Sequence, residues 1–171
     1  GVQPGARFSW LANASNVFWG AYSKTHRQPS LRERYTALSD ARIWVPLSPD
    51  YWVNRRFEGD ASLDKEEMDA YEVGWRSRPR QDLILELSLY YYDTKDAVLA
   101  NPKGQNWYEA QDAESYGGEI SVDYRPADVW LLKGGFSVTK GKVEGVEKHD
   151  FPQLLANLSS HLRLSDAVLF S

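Results

Sequence analysis

Apolar and polar residues alternate along most of the chain, and the clearest example is the stretch DLILELSLYYY at residues 82–92. Leucine occupies every second position from 83 to 89, with Glu86 and Ser88 between the leucines. A period of two is typical of a β-strand with one apolar face. The stretch therefore predicts a strand whose apolar face is covered either by a protein core or by lipid.

The same alternation recurs through the sequence, whereas a helical period is nowhere sustained. It predicts strands at residues 6–12, 17–24, 70–77, 82–93, 116–125, 129–140 and 153–164, and a further one from about residue 168. The connections alternate in length as well, with short links at 13–16, 79–82, 126–128 and 165–167 and long polar ones at 25–65, 95–115 and 141–152. Tight turns at one end and long loops at the other are typical of an up-and-down outer-membrane barrel.

The lengths of the predicted strands also favour a membrane. Those at 82–93, 116–125, 129–140 and 153–164 match the length of about 9–11 residues that a tilted strand needs to cross a bilayer. Strands of globular domains most often have about five or six residues. The pattern thus predicts an all-β, antiparallel, up-and-down transmembrane β-barrel segment.

Aromatic residues give a third indication, since the chain has 7 Trp, 10 Tyr and 6 Phe. Trp10, Trp75, Tyr124 and Trp130 lie on predicted apolar faces close to short links, where a membrane-interface girdle is expected. Three further rings are expected at the opposite rim: Tyr22, Tyr71 and Tyr91. The alternative is that all these rings form the core of a soluble β-domain. The order of the links, the strand lengths and the placement of the rings together indicate that lipid covers the apolar face.

Composition and motifs exclude several other functions. The net charge of -4 and the absence of cysteine exclude a nucleic-acid footprint and a thiolate metal site. There is no paired-carboxylate motif, nucleophile elbow, phosphate loop or metal-ligand spacing. We therefore expect no enzyme activity, no catalytic residue, no metal site and no cofactor.

The polar faces of a barrel line a wet or plugged interior. Seven charged residues are assigned to this lumen: Glu72, Arg76, Glu86, Glu119, Asp123, Lys133 and Arg163. They either contact a plug domain or a polar ligand, or form ion pairs across neighbouring strands so that the charges in a watery interior have partners. Cross-strand pairing is the favoured interpretation.

The long connections hold the candidate ligand-contacting residues, which are Trp44, Tyr51, Trp52, Arg55, Arg56, Trp107 and Tyr108. Exposed loop aromatics indicate a surface on which a ligand stacks, and the arginines suit an anionic group. The alternative is that ARIWVPL at 41–47 and YWVNRRF at 51–57 form an extended hairpin that continues the barrel.

Several short motifs follow one another along the chain. They are an Arg-x-Pro-Ser stretch at 27–30, Tyr-Glu-x-Gly at 71–74, the strand LELSLYYYDTKDAV, a Gly-x-Glu strand at 117–119 that closes on an Arg-Pro turn, and the strand after Pro152. Their order resembles the C-terminal half of the barrel of TonB-dependent outer-membrane receptors. One departure is GDASLDKEE at 59–67, which lacks both prolines of the corresponding family pattern.

The resemblance implies that residues 1–171 are a partial barrel domain, supplying about 7–8 strands of a barrel of about 22. The plug domain and the final strands are then absent, and the isolated piece is an open, curved sheet. It also implies a multi-pass protein of the bacterial outer membrane, in contact with its lipids. Such a receptor imports a ferric siderophore, haem, cobalamin or a similar small molecule or metal chelate, using the TonB complex through the plug. Two alternatives stay open, namely a small standalone outer-membrane barrel with an adhesive or structural role and a soluble, aromatic-rich β-sandwich binding module.

Overall fold

The computed structural model describes residues 2–44, 52–100, 108–148, 152–165 and 168–170. One short helix and a series of strands occupy them. They are β1 (Gly5–Asn13), β2 (Asn16–Arg27), α1 (Leu31–Tyr35), β3 (Ala37–Trp44), β4 (Trp52–Glu58), β5 (Glu66–Arg80), β6 (Leu83–Ala100), β7 (Tyr108–Ala127), β8 (Trp130–Val143), β9 (Val146–Lys148), β10 (Leu154–Ser165) and β11 (Val168–Phe170).

The main sheet is antiparallel and follows chain order, β1-β2-β5-β6-β7-β8-β10-β11. Strand β9 pairs with β8, and β3 and β4 form a separate two-stranded sheet. Tight turns at 14–15, 81–82 and 128–129 close one end, and the long connections leave from the other. The predicted all-β, up-and-down fold is therefore confirmed. Among the described residues β1 and β11 do not pair with each other, so the sheet is open and neither a closed small barrel nor a two-sheet sandwich is seen.

The register gives the sheet one apolar and one polar face. On β6 the apolar face carries Leu83, Leu85, Leu87, Leu89 and Tyr91. These positions cover about 27 Å of strand, which a tilt of about 40° reduces to about 20 Å, close to the apolar band of about 25 Å on membrane barrels. The next position on this face is Asp93. We name this side of the sheet the apolar face and the opposite side, which carries Glu86 and Ser88, the polar face.

The described part of the chain has almost no core. Leu158 is 82% exposed and Phe8 64% exposed, and both lie on the apolar face. The buried apolar side chains are few, and they are Leu63, Ala70, Ala97 and Val98. An apolar surface this extensive marks contact with a partner or a membrane.

Glycines on the polar face let large side chains lie flat across the neighbouring strand. The Tyr90 ring crosses Gly117, and its hydroxyl shares a hydrogen bond of 2.6 Å with Thr139 Oγ1 two strands away. Trp19 lies over Gly74 in the same way. A Cβ atom at either glycine overlaps the ring that now fills the space. Among the described residues no second layer covers this sheet, so the rings pack against neighbouring strands of the same sheet instead.

The strands are longer than the alternation predicts. Strand β6 has 18 residues and β7 has 20, and they stay paired up to Ala100 and Tyr108. Most of the connection predicted as a loop at 95–115 is therefore a strand pair, because backbone pairing continues where the apolar alternation stops. The first long connection does contain a hairpin, since β3 pairs with β4 and Trp44 lies opposite Trp52. The hairpin is a separate two-stranded sheet, so the prediction that it continues the barrel stays a prediction.

The short helix α1 is not predicted by the hydrophobic pattern. Ser30 Oγ accepts a bond of 3.2 Å from the Glu33 amide, and the Glu33 carboxylate accepts one of 2.6 Å from the Ser30 amide, which is a capping box. Arg27 then donates to both Glu33, at 3.1 Å, and Glu66, at 2.6 Å. Glu66 also accepts from the Val98 amide at 2.6 Å. This cluster ties α1 to β5 and β6.

None of the helices in the described residues is long and apolar enough to cross a membrane.

The substitution Gly117→Ala in the full-length protein is expected to lower the free energy of unfolding by about 1–3 kcal/mol. The added methyl group overlaps the Val138 carbonyl and the Tyr90 ring. Gly134→Ala, on the next strand, is the matched control because the nearest atom to its added carbon is 3.8 Å away. Unfolding midpoints in urea of the refolded protein measure both, and equal midpoints for the two variants contradict the packing described here.

Candidate functional site

Four of the charged residues predicted to line the lumen pair across neighbouring strands of the polar face. Arg76 Nε lies 2.7 Å from Glu86 Oε1, and these residues face each other on β5 and β6. Lys133 Nζ lies 3.1 Å from Asp123 Oδ2, across β7 and β8. For these residues the cross-strand interpretation is confirmed. All four side chains are well exposed, so each pair contributes about 0–1 kcal/mol at most.

The other three predicted lumen residues have different surroundings. Glu72 accepts a hydrogen bond of 2.9 Å from the Tyr92 hydroxyl. Arg163 donates at 3.3 Å to the carbonyl of Asp128 in the tight turn between β7 and β8. Glu119 lies between Ser88 and Ser137 in the register, and its carboxylate has no hydrogen bond or ion pair to any described residue.

Aromatic residues also line the polar face, and the sequence did not single them out. Tyr90 and Tyr92 stack with ring centroids 5.0 Å apart, and Trp19 lies in the same region over Gly74. Both faces of β2 carry apolar residues, so alternation alone could not assign Trp19 to a face. The useful signal was Gly74, whose missing side chain makes room for the indole on the neighbouring strand.

All four residues of the predicted girdle lie on the apolar face. Trp10 stacks on Phe18, with centroids 5.6 Å apart. Trp75 Nε1 donates to Asn16 Oδ1 at 3.0 Å, and Trp130 Nε1 donates to Ser160 Oγ at 2.9 Å. The Arg80 guanidinium lies 5.6 Å from the centre of the Tyr124 ring. Three of the four rings thus combine an apolar body with a polar partner, which suits a membrane interface. The role of all four as a girdle stays a prediction.

The opposite rim carries a row of tyrosines. Tyr22, Tyr71, Tyr91 and Tyr116 are successive cross-strand partners on the apolar face. The ring centroids of Tyr22 and Tyr71 are 5.2 Å apart, and those of Tyr71 and Tyr91 are 6.4 Å apart. We call this set the tyrosine row. It extends the predicted trio by one residue, Tyr116.

Charged residues begin directly beyond the tyrosine row. Lys24 Nζ lies 3.0 Å from Glu67 Oε2 and 3.6 Å from Asp69 Oδ2. Hydrogen bonds from Lys65 and from Lys24 lower the pKa of Glu67 to about 2. In the α1 cluster, the hydrogen bond from Arg27 is the main cause that lowers the pKa of Glu66. Glu66 and Glu67 are therefore ionised at neutral pH and held by cations.

Five of the candidate ligand-contacting residues belong to strands at this same end. Trp44, Trp52, Arg55 and Arg56 belong to the β3–β4 hairpin, and Tyr108 begins β7 opposite Ala100. Tyr51 and Trp107 lie outside the described residues. Their contacts with a ligand remain predictions. In the part of the chain that the structure describes, no group of three or more His, Asp or Glu residues is close enough to hold a metal ion.

Comparisons with known proteins agree with this arrangement. Residues 1–164 match the family model described as TonB dependent receptor-like, beta-barrel. A search of curated protein sequences gave no match.

Solved structures with a similar fold include the siderophore receptor PirA from Pseudomonas aeruginosa, with a TM-score of 0.75 and 15% sequence identity over 96% of this chain and 31% of PirA. The copper transporter OprC has a TM-score of 0.71 and 15% identity, over 95% of this chain and 24% of OprC. The ferripyoverdine receptor of the outer membrane of Pseudomonas aeruginosa has a TM-score of 0.68 and 14% identity, over 96% of this chain and 21% of the receptor. The chain thus spans less than a third of the length of each of these proteins.

The sheet is open and antiparallel, has one apolar and one ion-paired face, and matches the family model over nearly its whole length. The chain therefore belongs to the TonB-dependent receptors, whose β-barrel lies in the bacterial outer membrane.

Proposed function

We propose that the full-length protein binds a scarce nutrient at the cell surface and imports it with energy transmitted by TonB. The observation that carries this proposal is the one-layer sheet, whose uncovered apolar face and ion-paired polar face suit a wall between hydrocarbon and a wet interior. In this arrangement the described residues form part of the wall. The plug domain and the remaining strands come from the rest of the full-length protein.

The ligand class we propose is a ferric siderophore. The neighbouring structures support it, since they include the siderophore receptor PirA and the ferric yersiniabactin uptake receptor FyuA from Yersinia pestis. Haem, cobalamin and other metal chelates are the further members of the proposed range, and the neighbour OprC is a copper transporter. We propose no bond chemistry for the wall, which supplies only binding surfaces.

Capture is assigned to the long-connection end of the sheet. The β3–β4 hairpin brings Arg55 and Arg56 to this end, where their charges suit an anionic chelate. The aromatic residues predicted to stack on the ligand are Trp44, Tyr51, Trp52, Trp107 and Tyr108, all of which belong to the predicted long connections.

Glu119 is the lumen residue for which we propose a contact outside this chain. The neighbouring charges on the polar face pair within the wall, whereas the Glu119 carboxylate has no partner among the described residues. Glu119 is exposed in the described wall, and covering its carboxylate with a plug domain is costly unless the carboxylate gains a partner. We therefore propose that Glu119 accepts hydrogen bonds from a basic side chain of the plug domain.

Uptake by cells tests the proposed function. Cells that express the full-length receptor as their one ferric-siderophore receptor are expected to grow under iron limitation on at least one member of a panel of ferric siderophores. Deletion of TonB is expected to abolish growth while surface binding of the same ligand persists. Haem, cobalamin and cupric chelates complete the panel. If growth on every ligand of the panel is the same with and without TonB, energised import is contradicted.

Spin labels on adjacent residues test which face meets lipid. In the full-length receptor in liposomes, a label at Leu158 is expected to relax with dissolved oxygen, because its side chain lies on the apolar face. A label at the neighbouring Asn157, on the polar face, is the matched control and is expected to respond to a water-soluble nickel chelate instead. The same response at both sites contradicts the lipid placement.

A charge-neutral variant tests the contact proposed for Glu119. Glu119→Gln in the full-length receptor is expected to raise hydrogen exchange of plug amides by about tenfold or more, because a charged hydrogen bond is lost. Glu86→Gln is the control, since Glu86 pairs with Arg76 inside the wall. Plug exchange that rises equally in both variants rules out a specific role for Glu119.

A further inference from the structure

The Arg-x-Pro-Ser stretch at 27–30 is a sequence motif to which the proposed function assigns no role. Its arginine is the last residue of β2, and its serine is the N-cap of α1. The Arg27 guanidinium donates through Nε and Nη2 to the two carboxylate oxygens of Glu66, each at 2.6 Å. It also donates through Nη1 and Nη2 to Glu33 Oε1 on α1, each at 3.1 Å. We call these three side chains the arginine clasp.

The carboxylates of the clasp are largely buried. The Glu33 and Glu66 side chains are 13% and 15% exposed, and one guanidinium bridges both. The planar fork of an arginine fixes the relative position of two carboxylates, which a point charge does not. Without Arg27 the two ionised carboxylates lie side by side with their charges repelling, which is costly in a buried setting. The joint between α1 and β5 therefore depends on Arg27.

On one side the clasp holds the base of the β3–β4 hairpin. Helix α1 directly precedes β3, and the Asp60 amide, just after β4, donates to the Glu33 carbonyl at 3.0 Å. The Gly59 amide donates to the Thr36 carbonyl at 2.6 Å. A Cβ atom at Gly59 lies 2.6 Å from the Glu33 carbonyl oxygen, so the chain passes directly against the helix there. Both ends of the hairpin are thus joined to the helix that Arg27 holds.

On the other side the clasp reaches β6. Backbone pairing between β5 and β6 ends at Glu67 and Lys95. Beyond that point the Glu66 carboxylate accepts a hydrogen bond of 2.6 Å from the Val98 amide. Three of the four buried apolar side chains of the described residues lie in the segments joined here, namely Leu63, Ala97 and Val98. The clasp therefore connects the first long connection to the strand that leads into the second.

We propose that Arg27 is a positioning residue for nutrient capture. The hairpin that the clasp holds carries Arg55 and Arg56, to which capture is assigned. A surface that is fixed before the ligand arrives binds more tightly, because less conformational entropy is lost on binding. Arg27 acts through the hairpin and not on the ligand, since its Nε, Nη1 and Nη2 groups all donate within the clasp. This inference rests on the proposed function.

Hydrogen exchange and ligand binding by the full-length receptor test this role. The probes are ferric enterobactin, ferrichrome, haem and cyanocobalamin. Arg27→Gln is expected to raise exchange of the hairpin amides and of the Val98 amide by about tenfold, because charge-assisted hydrogen bonds are lost. The Kd of each probe that the wild type binds is expected to rise by about tenfold as the hairpin loosens. The unfolding midpoint of the barrel in urea is expected to stay at the wild-type value.

Three further variants separate positioning from charge. Gly59→Ala leaves every charge in place but displaces the chain from α1, so it is expected to raise hairpin exchange and the Kd together. Arg27→Lys keeps the charge and lacks the fork, so it is expected to recover only part of the affinity. Arg78→Gln is the matched control, because Arg78 donates to the Gln81 carbonyl at the opposite end of β5, and wild-type exchange and affinity are expected.

Several results overturn the inference. One is a wild-type Kd in Arg27→Gln, and another is full recovery of affinity in Arg27→Lys while hairpin exchange stays raised, since charge alone then acts. A third is exchange that rises equally in the barrel strands, because general stability is then lost. If the wild type imports a probe with TonB and any of these results is found, the positioning role fails alone. A wild type that binds none of the probes and grows independently of TonB overturns the proposed function and the positioning role with it.

Discussion

Hydrogen bonding between the backbones of neighbouring strands is the interaction on which the whole structure depends. In hydrocarbon no water is available to hydrogen-bond a free amide or carbonyl. Each strand of a membrane wall must therefore hydrogen-bond its backbone groups to those of its neighbours. The register accordingly runs unbroken along the twelve pairs from Asn16↔Ser77 to Arg27↔Glu66. The ladders from β5 to β8 are also long, each with one register shift. Because backbone bonds join neighbouring strands whatever their side chains are, the two faces can suit two different solvents.

The polar face shows how little its charges have to contribute to stability. The pairs Arg76–Glu86 and Asp123–Lys133 are exposed, and such pairs contribute only about 0–1 kcal/mol each. Tighter packing comes from uncharged contacts, in which Tyr90 and Trp19 lie across glycines of the next strand. The charges keep the face wettable, and rings that lie over glycines stiffen it. Glu119 departs from this scheme because it has no partner in the described wall.

Sequence reasoning was strongest where a period of two could be read over a whole strand. The faces of β6, β7 and β8 follow directly from that alternation, as do the tight turns between them. The ends of the strands could not be predicted, because pairing between β6 and β7 continues through residues that lack any apolar pattern. Helix α1 is too short for periodicity, although the Ser30-x-x-Glu33 spacing of its capping box was a readable signal. For the lumen charges the residue types were predictable, but the choice of partners required the register. The loop aromatics had neither a period nor a partner to identify them, so their role stays a prediction.

The length of β6 and β7 has a consequence for how a solute approaches the barrel. Beyond Tyr91 the paired strands continue to Ala100, which corresponds to about 30 Å of additional ribbon. Under the proposed membrane placement, this ribbon stands above the lipid surface as a rigid vestibule wall. A molecule entering there meets side chains on a paired backbone whose ladder has one register shift, between Thr94 and Ala97. Selectivity at this entrance can therefore change through single substitutions on a preformed surface, without remodelling a loop.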